Sequence, residues 1–208
     1  MKSANYFLKH NIVSTLFLLL TYHSAGALPV EITQQNAAVV YEVKADIPTP
    51  AERIAEVIST DYRNLRDEFS KHEFLEKLKP TIEKRIQEAK ETESFYVIVS
   101  DYLGEYDFSR KAFPTGTGPQ TFIPLNKYAV RFSNYDAIGF VSVPLEEAKK
   151  AATALKGSRH STITYTGVIE KCTEEKLNYH IYKVIYLKVK NISIRLDKSG
   201  TQFTQKID

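Results

Sequence analysis

The chain has 208 residues, 43% hydrophobic and 25% charged, which excludes a disordered or collagen-like polypeptide. A single cysteine excludes an intramolecular disulfide framework and any multi-cysteine metal site. A formal net charge of +3 is too small for the basic footprint of a nucleic-acid binder.

The first 27 residues carry the clearest signal. Lys2, Lys9 and His10 are basic, and Ile12, Val13 and the run Leu16-Phe17-Leu18-Leu19-Leu20 are apolar. Ala25 and Ala27 then place small side chains at the −3 and −1 positions of a cleavage site, where a signal peptidase admits nothing larger. The apolar stretch from 12 to 20 is less than half of the roughly 20 residues a spanning helix needs. The pattern predicts a signal peptide over 1–27, a periplasmic or secreted protein, and no transmembrane segment after cleavage. Cutting after Ala27 leaves 181 residues and removes two lysines, so the net charge falls to +1. That size suits one folded unit over 51–208.

Residues 28–50 read as a mostly extended segment, with Val39, Tyr41 and Val43 alternating against Val40, Glu42 and Lys44 as in a short edge strand. A helical segment is expected over 51–93. Thr49-Pro50-Ala51-Glu52 has the form of a capping box, opening a helix that carries Ile54, Val57 and Ile58 on one face. Ser70-Lys71-His72-Glu73 is a second such box. From it Leu75, Leu78, Ile82, Ile86 and Ala89 form one apolar stripe ending near Glu91, with a kink or a break expected at Pro80.

A β-rich part follows over 94–208. Residues 95–99, Phe-Tyr-Val-Ile-Val, suggest a strand buried on both faces. Further strands are expected at 121–124, 127–133 and 139–143. An inserted helix is expected over 144–156, opened by Pro144, with Leu145, Ala148, Ala151, Ala152 and Leu155 inward and Gly157 at its end. Two long strands, 160–171 and 179–190, flank a polar turn over 173–178. Ile181, Ile185, Leu187 and Val189 point inward, and Ile192, Ile194 and Leu196 continue in the same phase. Lys198-Ser199-Gly200 forms a terminal turn, and Phe203 begins a closing strand. Helices before 94 and strands after it predict an α+β fold: N-terminal helices, then a curled antiparallel sheet or small open barrel with one inserted helix.

Among candidate functional residues, Tyr102, Tyr106, Phe108, Arg110 and Phe113 form an aromatic and basic stretch beside the loop Pro114-Thr115-Gly116-Thr117-Gly118-Pro119. Together they suggest a flexible lip over a binding site, or a hairpin loop over core aromatics. Asp101, Glu105 and Asp107 raise the possibility of cation binding or of hydrolytic acid–base chemistry, alone or with His160. Their spacing matches no calcium loop, so no metal or cofactor is expected. Cys172 reads as a buried structural thiol, with an intermolecular disulfide as the alternative. A Cys172–His180 nucleophile–base pair requires an odd-length hairpin loop. Asn191-Ile192-Ser193 matches a glycosylation acceptor, placed mid-strand.

Charge is unevenly spread, net −4 over 28–143 and net +5 over 144–208, which fits a lysine-fringed sheet edge or a surface that steers an anionic partner. Tyr106-Asp107-Phe108 with Phe113, Phe132-Ser133-Asn134, the Pro144 helix and Leu196-Asp197-Lys198-Ser199-Gly200 resemble a family of uncharacterised secreted bacterial domains over about residues 95–205. That family has no assigned activity, so the resemblance implies a fold and a location and transfers no site residue. The expectation is a secreted or periplasmic non-enzymatic domain that binds an unknown protein or small ligand. An envelope- or host-directed hydrolase is the alternative. Inhibition of a secreted hydrolase is a third reading, disfavoured by the near-neutral charge because a cationic target calls for an acidic surface.

Overall fold

A computed structural model describes residues 28–155, 159–196 and 199–208; the leader with Ala25 and Ala27, Gly157, Asp197 and Lys198 lie outside them. In chain order the elements are β1 (Val30–Glu31), α1 (Ala37–Lys44), α2 (Ala51–Ile58), α3 (Thr60–Asn64), α4 (Glu68–Glu91), β2 (Phe95–Tyr102), β3 (Ala112–Pro114) and β4 (Phe122–Leu125). There follow β5 (Tyr128–Phe132), α5 (Tyr135–Ile138), β6 (Phe140–Ser142), α6 (Leu145–Leu155), β7 (His160–Leu177), β8 (His180–Leu196) and β9 (Gln202–Lys206). The class is α+β. The main sheet is mixed and stays open, in the order β1-β2-β7-β8-β5-β4, with β9 also on β8 and with β1·β2 and β5·β8 parallel. β3 and β6 form a separate two-stranded ribbon.

Residues 28–50 are not mainly extended. The edge strand expected around Val39 is α1, in which Ala37 through Glu42 are all buried. A short apolar run supports a core helix as well as a strand, and alternation over six residues does not separate them. Asn36 starts the helix by accepting from the Thr33 N–H at 2.8 Å and donating to the Glu31 carbonyl at 2.6 Å. α1 is buried on several sides because it lies between two apolar clusters. Ala37, Ala38, Val40 and Tyr41 join the sheet core, and Val39 joins Ile54, Ala55, Tyr62, Leu75, Ile82 and Ala89 of the outer helices.

Neither expected capping box forms. Pro50 itself precedes α2, and the Thr49 hydroxyl donates to the Ile47 carbonyl instead. α4 begins earlier, at Glu68, because Asp67 accepts from the Ser70 N–H at 2.7 Å. α4 also runs unbroken through Pro80, which sits on its exposed face, so the amide bond that proline cannot make is lost where solvent can replace it.

β2 is buried on one face only: Phe95 and Val97 point inward, and Ile98 is 44% exposed. In α6, Ala148, Ala151 and Leu155 are buried, while Leu145 and Ala152 face out. β7 continues to Leu177, so the turn is Asn178-Tyr179 alone, both at positive φ (47° and 69°). That two-residue geometry matches the twist of long paired strands. Ile181 therefore lies beyond the core and is exposed rather than inward. Val189 and Ile192 are three residues apart yet both fully buried. A bulge opposite Gly167 absorbs the extra residue and restores the phase, and a Cβ on Gly167 would collide with the Lys188 backbone.

Candidate functional site

The aromatic stretch divides into three environments. Tyr102, at the end of β2, lies beside His160, ring centroids 4.1 Å apart. Tyr106 donates to the Val143 carbonyl at 2.9 Å and meets Phe108 and Phe113 edge-on at 5.3 and 5.1 Å. Phe113 is only 1% exposed and supports Tyr106 from the core, whereas Phe108 is 75% exposed. The Arg110 guanidinium lies over the Phe140 ring at 4.2 Å and within 3.5 Å of Asp107. Tyr106, Phe108 and Phe113 thus come together; Tyr102 and Arg110 pair elsewhere.

The Pro114–Pro119 loop is tied down rather than loose. Thr115 is buried and donates to the Ile138 carbonyl at 2.7 Å, and Thr117 shares a hydrogen bond of 2.9 Å with the phenol of core Tyr165. Arg131 donates to the Pro119 carbonyl from the other end. These anchors hold the loop against α5, β7 and β5.

Two of the acids are engaged by their own neighbours. Asp107 accepts from the Ser109 hydroxyl and from the Ser109 and Arg110 amides, and these bonds, the hydroxyl's first, hold its carboxyl below the usual range. Asp101 accepts from the Tyr102 N–H at 2.6 Å. Among the described residues no group of three or more His, Cys, Asp or Glu could hold a metal ion. Cys172 pairs with Ile185, five residues along β8 from His180, or about 17 Å at strand rise. Burial pushes its thiol up to about 11, far from a nucleophile's range. Asn191 of the glycosylation motif is paired between β7 and β9.

A concavity lies elsewhere. β1, α1 and the last turns of α4 enclose a groove of about 610 Å³, with a floor of Val30, Val39, Val40 and Ala89 and a rim that includes Arg85, Glu88 and Glu91. The groove exists because α1 packs against both the sheet and α4, leaving the corner beside the two-residue β1 unfilled. The two rim acids are occupied: Glu88 lies 3.7 Å from Lys84, and Glu91 accepts from Gln87 at 2.6 Å. Half-buried Arg85 makes no hydrogen bond or ion pair with any described residue. A second, smaller hollow of about 240 Å³ runs beside Glu42, Val43 and Pro48.

Residues 55–153 match the family model described as Domain of unknown function (DUF4852). No curated protein and no solved structure matches the chain. The DUF4852 match supports the resemblance to an uncharacterised family, but its span differs from the expected 95–205: it adds the second half of α2 with all of α3 and α4, and stops within α6. It contains Arg85, the Tyr106–Phe113 cluster and Asn134, while β1 and α1, the other wall of the groove, lie outside it.

Sequence reading missed this groove. Its floor lies in the segment taken as extended, and the stripe on α4 identified Ala89 as buried without indicating a concavity. Nothing in the sequence marked it, since Arg85 has Glu88 three residues on, the spacing of an ordinary helix-surface ion pair, and its lack of a partner shows only in the structure. A second missed cluster is the buried Glu42 carboxylate, held by Arg53 at 2.9 Å and Lys183 at 3.3 Å.

Proposed function

We propose that the chain is an exported, non-enzymatic domain whose groove holds an aliphatic carboxylate, a small ligand with an apolar body and an anionic head. The observation that carries this reading is the groove itself. Its volume lies within the range of about 300–1,000 Å³ common for small-ligand sites, its floor is apolar, and its rim holds Arg85, whose guanidinium makes no hydrogen bond or ion pair with a described residue. A carboxylate would take the guanidinium in a bidentate pair while the chain covers Val30, Val39 and Val40. The leader over 1–27 supports export, and Cys172, protonated and about 17 Å along the hairpin from His180, forms no nucleophile–base pair with it.

A fluorescent medium-chain fatty acid titrated into the mature protein tests the site. Arg85→Gln should weaken its binding by about tenfold, the cost of one charge-assisted contact, and leave the matching neutral alcohol unaffected. Val30→Trp should fill the groove and abolish both. Equal binding by both variants and the unaltered protein, or no binding by any, overturns the assignment. Intact mass of the protein recovered from its native cell should correspond to a chain beginning at Leu28; a retained Met1 overturns the export half.

A further inference from the structure

The free edge of β2 is the strongest feature that the groove leaves unexplained. β1 covers only the beginning of this strand, pairing Val30 with Phe95 and Glu31 with Tyr96. The Val30 N–H donates to the Ser94 carbonyl and the Ile32 N–H to the Tyr96 carbonyl, so even-numbered residues turn their backbone groups toward the edge. Odd-numbered residues face β7, as the bond from the Leu103 N–H to the Arg159 carbonyl shows at the far end. Ile98 and Ser100 therefore present unpaired N–H and C=O groups at an open edge, and among the described residues nothing takes them. At Tyr102 the outward N–H is occupied by its neighbour Asp101. The side chains there are uncovered too, Ile98 at 44% and Tyr102 at 65% exposed. Such an edge is a template for strand addition.

We propose that this edge pairs with the same edge of a second copy, antiparallel about a twofold axis at Ser100. The geometry favours this occupant over a longer foreign strand. β1 blocks the edge before Val97, and beyond Tyr102 the chain turns in at Leu103, which is buried. The open stretch is thus about five residues long with both ends closed, and β2 itself is a strand that fits it. Centred on Ser100, the pairing sets each outward residue against an outward residue: Ile98 faces Tyr102 of the second copy, and Ser100 faces itself. That pattern exchanges both backbone hydrogen bonds at each position. It also places an aliphatic side chain against an aromatic ring, a favourable cross-strand pair. Asp101 falls opposite Val99, so no two carboxylates meet. The Tyr102 N–H would leave Asp101 for the Ile98 carbonyl of the other copy. Two open sheets become one continuous sheet, joined by a short interface that dissociates on dilution.

Cysteine cross-linking in a Cys172→Ser background tests both the pairing and its register. In a directly opposed pair about 5.5 Å separates the Cα atoms, within disulfide range. Ser100→Cys should therefore form a covalent dimer under mild oxidation at least tenfold faster than Thr204→Cys, an exposed control on β9. Ile98→Cys and Tyr102→Cys should each fail alone and cross-link when mixed. Sedimentation should show a concentration-dependent dimer that Ser100→Pro disperses, since that proline removes an outward N–H and leaves the ladder to β7 intact. Overturning results are a monomer at every concentration up to the millimolar range, cross-linking of Ser100→Cys no faster than the control, or a dimer indifferent to Ser100→Pro. None of these readouts depends on the groove.

Discussion

Asn134 shows how a single side chain can complete a sheet. β8 gives one edge to β5 as far as Leu187 and to β9 from Asn191 onward, which leaves a gap at Val189. The Asn134 amide fills it, donating to the Val189 carbonyl and accepting from the Val189 N–H, both at 2.9 Å. It mimics one residue of a strand. Asn134→Ala orphans both backbone groups beside the core and should lower stability by about 1–3 kcal/mol. Urea unfolding checks this: the midpoint should fall with little change in slope. Phe132-Ser133-Asn134 stood out in the sequence as part of a family resemblance, but its role was not legible there. Its partner is 55 residues away, and nothing local distinguishes a structural asparagine from a ligand-binding one.

At the scale of elements, what could be read depended on how local the determinants are. The apolar stripe on α4 and the helix after Pro144 follow from side-chain period alone, although α4 starts earlier than its stripe suggested and Pro80 does not interrupt it; β5 also forms, but it is buried at four of its five residues rather than on one face. The long hairpin was misjudged because the polar run from Thr173 to Asn178 looks like a turn. Its pairing partners on β8 hold it in register, Glu174 against Lys183 and Glu175 against Tyr182. The remaining turn places Tyr179 at φ 69° with its side chain 92% exposed. A bulky residue in the left-handed region carries roughly 1–2 kcal/mol of strain that glycine does not. Tyr179→Gly should therefore create the favoured Asn-Gly turn and raise stability by up to about 1 kcal/mol, the larger chain entropy of glycine offsetting part of the gain. Calorimetry should record a higher Tm; an unchanged or lower Tm would mean that the contact of Lys176 with the Tyr179 ring outweighs the backbone term.

Across the whole molecule, the helical layer and the sheet meet at one buried charge. Glu42 sits on α1 and is 2% exposed; Arg53 reaches it from α2 and Lys183 from β8. Lys183 also lies over the Tyr41 and Tyr128 rings, and burial together with the Glu42 carboxylate raises the Tyr128 phenol above its usual range, keeping it neutral. A carboxylate in such a place is costly to bury alone and is tolerated because two cations compensate it. Removing it reverses the balance, since Lys183, with only 19% of its side chain exposed, would be left without its counter-charge. Arg53 is half-exposed and can turn to water, which moderates the loss. Glu42→Ala should thus destabilise by about 3 kcal/mol, near the low end for breaking a buried pair. Replacing Glu42 and its sheet partner together with apolar residues, Glu42→Leu with Lys183→Met, should recover much of that loss because no buried charge is left unpaired. Chemical denaturation of the two variants distinguishes an ionic tie from simple packing. If packing alone joins the layers, the single substitution costs less than the double; if the tie is ionic, it costs more.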